Sequence, residues 1–158
     1  MNSRPHIKIP LTTLDYLLEI VSLLVVLATI ILYAAYWIFS PEEYSIKIVL
    51  LFTLPVTSVS MYAMLTILNK YPHIFNFPVN VTEENAFFLY KTATSMMRWI
   101  KMLCCLLFAY IVWIIAKEAI THQKMEFGIV FGILITSISL YPIYPIVKII
   151  KYDKKLKK

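Results

Sequence analysis

Glu19 is the residue with the most chemical potential. It stands in the apolar run LLEIVSLLVVLATIILYAAYWIF, residues 17–39. A charge at the centre of a membrane helix costs roughly 2.5–3.5 kcal/mol, so an acid in such a run is a functional suspect by default. A glutamate in the first helix is also what small four-helix proton-coupled antiporters use. Yet Glu19 is only the third residue of the run, which places it near headgroup depth, and Asp15, one turn earlier, is expected to be hydrated. The reading adopted is a structural, interfacial acid; a small multi-helix transporter using Glu19 is the alternative.

Other reactive side chains offer less. His6, His73 and His122 are far apart in sequence, and the topology argued below sets His122 on the opposite side of the membrane from the other two. No three-histidine metal site is expected. Cys104 and Cys105 are adjacent in an apolar run, where a disulfide would be strained, and read as small apolar residues. Asn80-Val81-Thr82 has the form of a glycosylation acceptor but falls on the side expected to be cytoplasmic. No phosphate-binding loop, HExxH or GxSxG is present. The sequence implies no cofactor, no metal and no enzymatic activity.

The elements that hold these residues follow from composition. Of 158 residues, 60% are apolar and 15% charged, against about 25% charged in soluble domains. The mean hydropathy is +0.75. A small soluble domain cannot hide that much apolar surface, whereas a bilayer can. A spanning helix needs about 20 apolar residues. Four runs qualify: 17–39, 48–68, 99–116 and 127–147. The first is too long for a signal-peptide core and reads as a retained helix. The predicted fold is all-α: a single polytopic membrane domain, 1–158, with four transmembrane helices and one cytoplasmic amphipathic interfacial helix.

Pro55 interrupts the second run, and Pro142 and Pro145 the fourth; kinks are expected there. Thr53, Thr57, Ser58 and Ser60 are placed to satisfy backbone groups freed at Pro55. Gly128 and Gly132 form a GxxxG, expected to pack closely within the chain, with a dimer contact as the other option. Trp37, Tyr33, Tyr36, Trp99, Tyr141 and Tyr144 lie near run ends, where aromatic rings favour the interface.

Residues 69–98 are the one long polar stretch between runs. Pro72 and Pro78 predict an extended arm over 69–81. Thr82 reads as a helix N-cap, with Glu83 and Glu84 in the dipole-favoured first turn. Ala86, Leu89, Tyr90, Ala93 and Met97 then recur at helical steps, predicting a surface helix that runs into the third span. Asn76, Pro78, Thr82, Glu83, Glu84 and Asn85 form a possible interaction surface for a protein partner.

Basic residues set the orientation. With both ends cytoplasmic, Arg4, Lys8, Lys70, Lys91, Arg98, Lys101 and the six lysines of 148–158 are inside, twelve in all. Only Lys47, Lys117 and Lys124 are outside. That bias predicts a cytoplasmic (inner) membrane protein with both termini cytoplasmic. The basic tail, 148–158, directly follows an apolar run. Its expected partner is the lipid bilayer with its anionic headgroups, and no nucleic-acid motif accompanies it.

One stretch looks familiar. Leu54-Pro55, Tyr62, Leu65-Thr66, the run Leu68-Asn69-Lys70-Tyr71-Pro72-His73-Ile74-Phe75-Asn76-Phe77-Pro78, Thr82-Glu83-Glu84-Asn85-Ala86, Tyr90 and Ala93-Thr94, with Arg4-Pro5 and Ile9-Pro10 near the start, resemble a bacterial membrane-protein family. That family is defined by a domain of unknown function also found at the N-terminus of SdpI-like immunity and signalling proteins. About fifty residues carry the likeness closely, and the span layout agrees along the chain. The loop Ser40-Pro41-Glu42-Glu43-Tyr44-Ser45, with Lys47 after it, is shorter than the family's and lacks its histidine and glycines. The resemblance implies a non-enzymatic binding, immunity or signalling component of the bacterial membrane.

Overall fold

A computed structural model describes residues 4–39, 45–121 and 126–156, with the backbone alone at 37, 39, 45–51 and 119. The loop after the first helix, His122 and Lys124 therefore lie outside the described residues. So does the side chain of Trp37.

The described chain is helical: α1 (Thr13–Phe39), α2 (Ser45–Leu68), a single 3-10 turn (Pro72–Ile74), α3 (Glu83–Thr121), α4 (Ile129–Leu140) and α5 (Ile143–Leu156). By length and composition, Thr13–Tyr36, Glu83–Glu118 and Ile129–Leu156 can each cross a membrane, and Phe52–Leu68 is a shorter apolar helix.

The start of α1 is fixed by Thr12 and Asp15. The Asp15 carboxylate accepts from the Thr12 backbone N–H (2.9 Å) and hydroxyl (2.8 Å), and the Asp15 N–H donates back to Thr12 Oγ1 (3.2 Å). This reciprocal box satisfies backbone donors that the first turn would leave open. Beyond it, α1 sorts its faces inside out. Asp15, Leu18, Ser22, Val26, Thr29 and Tyr36 are buried, while Leu17, Ile20, Leu24 and Ile31 are exposed. The buried stripe recurs at three- and four-residue steps, as one helix face must. Its hydroxyls close onto their own helix: Ser22 donates to Leu18 O (2.6 Å) and Thr29 to Val25 O (2.8 Å). Polar residues inward and large apolar residues outward suit a hydrocarbon solvent.

α3 is the hub, packing against α1, α2, α4 and α5. The sequence predicted a surface helix running into the third span. The structure has one helix of 39 residues, about 58 Å long at 1.5 Å per residue. No proline or glycine lies between Glu83 and Thr121 to stop it. A length near twice the hydrocarbon core of about 30 Å leaves the first half of α3 as a post for other segments.

Three segments use that post. Ile7 and Ile9 from the N-terminal arm, Phe77, Val79 and Val81 from the arm after α2, and Ile149 and Tyr152 from α5 pack around Ala86, Leu89 and Tyr90. Leu89 and Tyr90 have no exposed surface; burying an apolar side chain of that size contributes about 1.5–3 kcal/mol. Polar bonds hold the segments in register. The Arg4 guanidinium donates to the carbonyls of His73 (3.0 Å) and Phe75 (2.5 Å), and Tyr90 Oη donates to Pro5 O (3.1 Å). The result is a folded cap over the end of the bundle where α1 begins and α2 ends.

The fourth apolar run is divided at Tyr141–Pro142, where α4 gives way to α5. A bend at Pro142 was expected, and the tail beyond it is helical as far as Leu156. The second run is not divided: α2 continues through Pro55. Thr57 donates to Thr53 O (2.7 Å), whereas Ser58 Oγ is buried without a hydrogen bond. The GxxxG expectation is corrected. A Cβ built on Gly128 or Gly132 meets nothing within 4 Å, so the pair makes no close helix contact among the described residues.

Candidate functional site

Beneath the cap, α1 and α3 face each other with two acids and two bases. Asp15 and Glu19 lie four residues apart on α1, and Arg98 and Lys101 three apart on α3, so each pair shares a helix face. Arg98 Nη1 donates to Asp15 Oδ1 at 3.0 Å. Arg98 Nε lies 3.5 Å from Glu19 Oε1. Lys101 Nζ donates to Glu19 Oε2 and to Thr66 Oγ1 on α2 (2.9 Å). It also sits 4.7 Å from the centre of the Tyr62 ring. Lys101 has no exposed surface, and Arg98 and Asp15 are 5% exposed.

The four formal charges cancel, which is what allows them to lie buried. The cluster ties all three helices together, with Lys101 reaching α1 and α2 at once. The expectation that Asp15 is wet is corrected: its carboxylate is consumed by the Thr12 cap and the Arg98 pair. Glu19 lies six residues into α1, about 9 Å from its start. Its side chain, 25% exposed, meets two cations rather than reaching water alone. Arg98 and Lys101 were not foreseen as site residues, although their spacing mirrors that of the acids.

Glu19 and Arg98 line a cavity of about 410 Å³, together with Lys8, Thr66, Asn69 and Lys70. The N-terminal arm and the start of the 69–82 segment wall it from the cap side. Neither amide atom of the Asn69 side chain finds a partner, nor does Arg98 Nε find a hydrogen bond, and all three atoms are buried. A larger concavity, about 860 Å³, lies between α3 and α4, lined by Trp99, Leu103, Ile133, Leu140 and Tyr141 among others. It has no charged lining.

The foreseen interaction surface comes together only in part. Asn76, Pro78 and Thr82 line a polar groove of about 760 Å³ with Arg4, Asn80 and Asp153. Glu83 and Glu84 stand exposed on the first turn of α3. Asn85 does not belong to this surface. It is 2% exposed, accepting from the Thr82 N–H (2.8 Å) and donating to Asn80 O (2.9 Å). The cap bond thus runs from Thr82's backbone to Asn85's side chain, the half of a capping box usually made by Glu or Gln.

His6 and His73 do meet, with ring centroids 4.1 Å apart. Among the described residues no third metal-ligating side chain joins them. Cys105 is buried, Cys104 partly so, and both are free thiols. Comparison with protein-family models, curated proteins and solved structures returned no match.

Proposed function

We propose that this chain is a bacterial inner-membrane protein that works by binding, with its cap as the cytoplasmic docking element for a protein partner. In this reading α2 is a fourth span, both termini are cytoplasmic, and the exposed lysines of α5 lie against anionic headgroups. An immunity or signalling role follows from the resemblance to SdpI-like proteins. The observation that carries the reading is the polar groove. Asn76, Pro78 and Thr82, from one irregular segment, line it together with Arg4 and Asp153 from opposite ends of the chain. Such a surface is rigid because Tyr90, Asn85 and the cap core fix it from behind, and rigid polar surfaces lose little freedom on binding.

The deciding experiment combines topology and contact. Reporter fusions at Lys158 and within 117–126 should place the first inside and the second outside. A photocrosslinker at Asn76 should give one discrete adduct in cells, lost on Glu83→Arg plus Glu84→Arg at unchanged expression. Alkaline phosphatase activity at Lys158, or an adduct indifferent to the charge reversal, would end the proposal.

A transporter reading has its own observation, the placement of Glu19 on a cavity wall between Lys101 and Arg98. It requires Glu19→Gln to abolish a proton-coupled flux while the protein stays folded.

A further inference from the structure

We infer that the groove between α3 and α4 and a basic hollow beside it form one site for a single anionic phospholipid, with an acyl chain along α4 and the headgroup between Lys91 and Lys148. The site rests on the membrane placement proposed for the chain and needs no protein partner. The apolar groove has a volume of about 860 Å³. The basic hollow, about 370 Å³, lies between α3 and α5; it is lined by Lys91, Thr92, Ser95 and Lys148 and, among the described residues, by no acid. The two meet at Tyr141, which lines both and whose ring centroid is 5.9 Å from that of Trp99.

One face of α3 runs through both. Phe88, Thr92 and Ser95 line the hollow, Trp99 and Leu103 the groove. These residues recur at three- and four-residue steps, which keeps them on one side of the helix. The facing wall changes from α4 to α5 at the Tyr141–Pro142 break, so the apolar and basic parts stand end to end. Their dimensions suit a lipid in one leaflet. From Ile129 to Tyr141 α4 runs about 18 Å at 1.5 Å per residue, close to half of a hydrocarbon core of about 30 Å. Trp99 and Tyr141 are of the type that marks the edge of that core. Lys91 precedes Trp99 by eight residues and Lys148 follows Tyr141 by seven, which sets both cations about 10–12 Å past that edge.

Charge selects the headgroup. Lys91 and Lys148 are exposed, and among the described residues neither pairs with a carboxylate. Each ammonium lies over a ring of α3: Lys91 Nζ is 6.0 Å from the Phe87 centroid and Lys148 Nζ 5.7 Å from that of Phe88. One cation therefore comes from each wall. A phosphodiester can accept from both and from the half-buried hydroxyls of Thr92 and Ser95. Basic pockets between membrane helices take anionic headgroups by this chemistry. A zwitterionic lipid would bring a third cation to the two lysines, and a soluble phosphate would leave the groove unused.

The test uses the full chain in neutral detergent with three probes: phosphatidylglycerol, phosphatidylcholine with the same acyl chains, and inorganic phosphate. Native mass spectrometry counts bound lipid, and melting temperature reads stabilisation. One phosphatidylglycerol should bind saturably and stabilise the chain, phosphatidylcholine should bind more weakly, and inorganic phosphate should not stabilise. Lys91→Gln with Lys148→Gln should weaken phosphatidylglycerol about 10- to 50-fold, the weight of two basic side chains near an anionic headgroup, and bring it level with phosphatidylcholine. Gly132→Leu, whose side chain enters the groove, should weaken both lipids about fivefold or more by overfilling it. Lys154→Gln with Lys155→Gln removes the same charge farther along α5 and should leave binding intact. All four lysines are exposed, so the two paired variants carry the test even where Gly132→Leu misfolds. The site is ruled out if phosphatidylglycerol binds no tighter than phosphatidylcholine, if inorganic phosphate stabilises equally well, or if the two lysine pairs weaken binding alike. A folded Gly132→Leu that binds phosphatidylglycerol as the wild type does would equally overturn it. The topology reporters do not depend on these outcomes, so failure of the site and failure of the membrane placement are told apart.

Discussion

Lys101 on α3, with no surface exposed, gives its ammonium to Glu19 on α1. The pair joins two helices through charges that neither helix could bury alone. Its worth lies in balance more than in attraction, because desolvating two ions offsets most of what their contact returns.

Lys101→Met should therefore destabilise the fold by about 3–5 kcal/mol, leaving Glu19 with only the longer Arg98 contact. Glu19→Gln should be costly for the converse reason. The double variant should recover much of the loss, with a coupling of at least about 1 kcal/mol in a double-mutant cycle. Denaturant titration of the purified chain measures all three. Strictly additive losses would mean the pair does not hold the helices.

Asn85 should matter more than the residues around it. Its side chain satisfies the Thr82 N–H and the Asn80 carbonyl from a buried position. Asn85→Ala should cost about 1–2 kcal/mol. Thr82→Val, on an exposed side chain, should stay within about 0.5 kcal/mol. Glu83→Ala and Glu84→Ala should each cost at most about 1 kcal/mol through the helix dipole. The same titration decides, and a Thr82 variant costlier than Asn85→Ala would reverse the assignment of the cap.

These contrasts mark what the residues disclose by themselves. Apolar runs disclosed the helices because membrane burial is decided by composition over about 20 residues. The bend at Pro142 was equally plain, since proline acts locally. The run of the helix after Thr82 into the third span was legible too, because no proline or glycine stops it from Glu83 to Thr121. The ion-pair cluster was half visible. Asp15 with Glu19 and Arg98 with Lys101 each mark one helix face, but which face meets which is set by the packing of α1 on α3. The burial of Asn85 was not foreseen because its side chain turns back onto Thr82 and Asn80 instead of outward.

Docking of α5 on α3 can be tested directly. Phe88 and Tyr152 stack with centroids 3.9 Å apart, and Ile149 is 3% exposed among Ala86, Leu89 and Tyr90. Tyr152→Ala should lose the stack, worth about 0.5–1.5 kcal/mol beyond its burial, and Ile149→Ala about 2–5 kcal/mol. Amide exchange across 143–156 should speed up in both, with exchange in α1 unchanged. Unaltered protection would show that α5 is held by the membrane and not by α3.

Gly132 gives the opposite kind of prediction. Glycine inside a helix is about 1 kcal/mol less favourable than alanine, because its backbone has more freedom to lose. That penalty is tolerated where a neighbouring backbone must come close, which is the reason a GxxxG suggests a contact. Here a Cβ at Gly132 meets nothing within 4 Å, and α4 has no buried residue. Gly132→Ala should therefore raise stability by a few tenths to about 1 kcal/mol and leave the particle mass in detergent unchanged. Gly132→Leu should also fold, since the added side chain enters the open cavity between α3 and α4. Loss of stability in Gly132→Ala, or a smaller particle, would mean that this face of α4 packs against a second copy of the chain, and that the glycines are spaced for that contact.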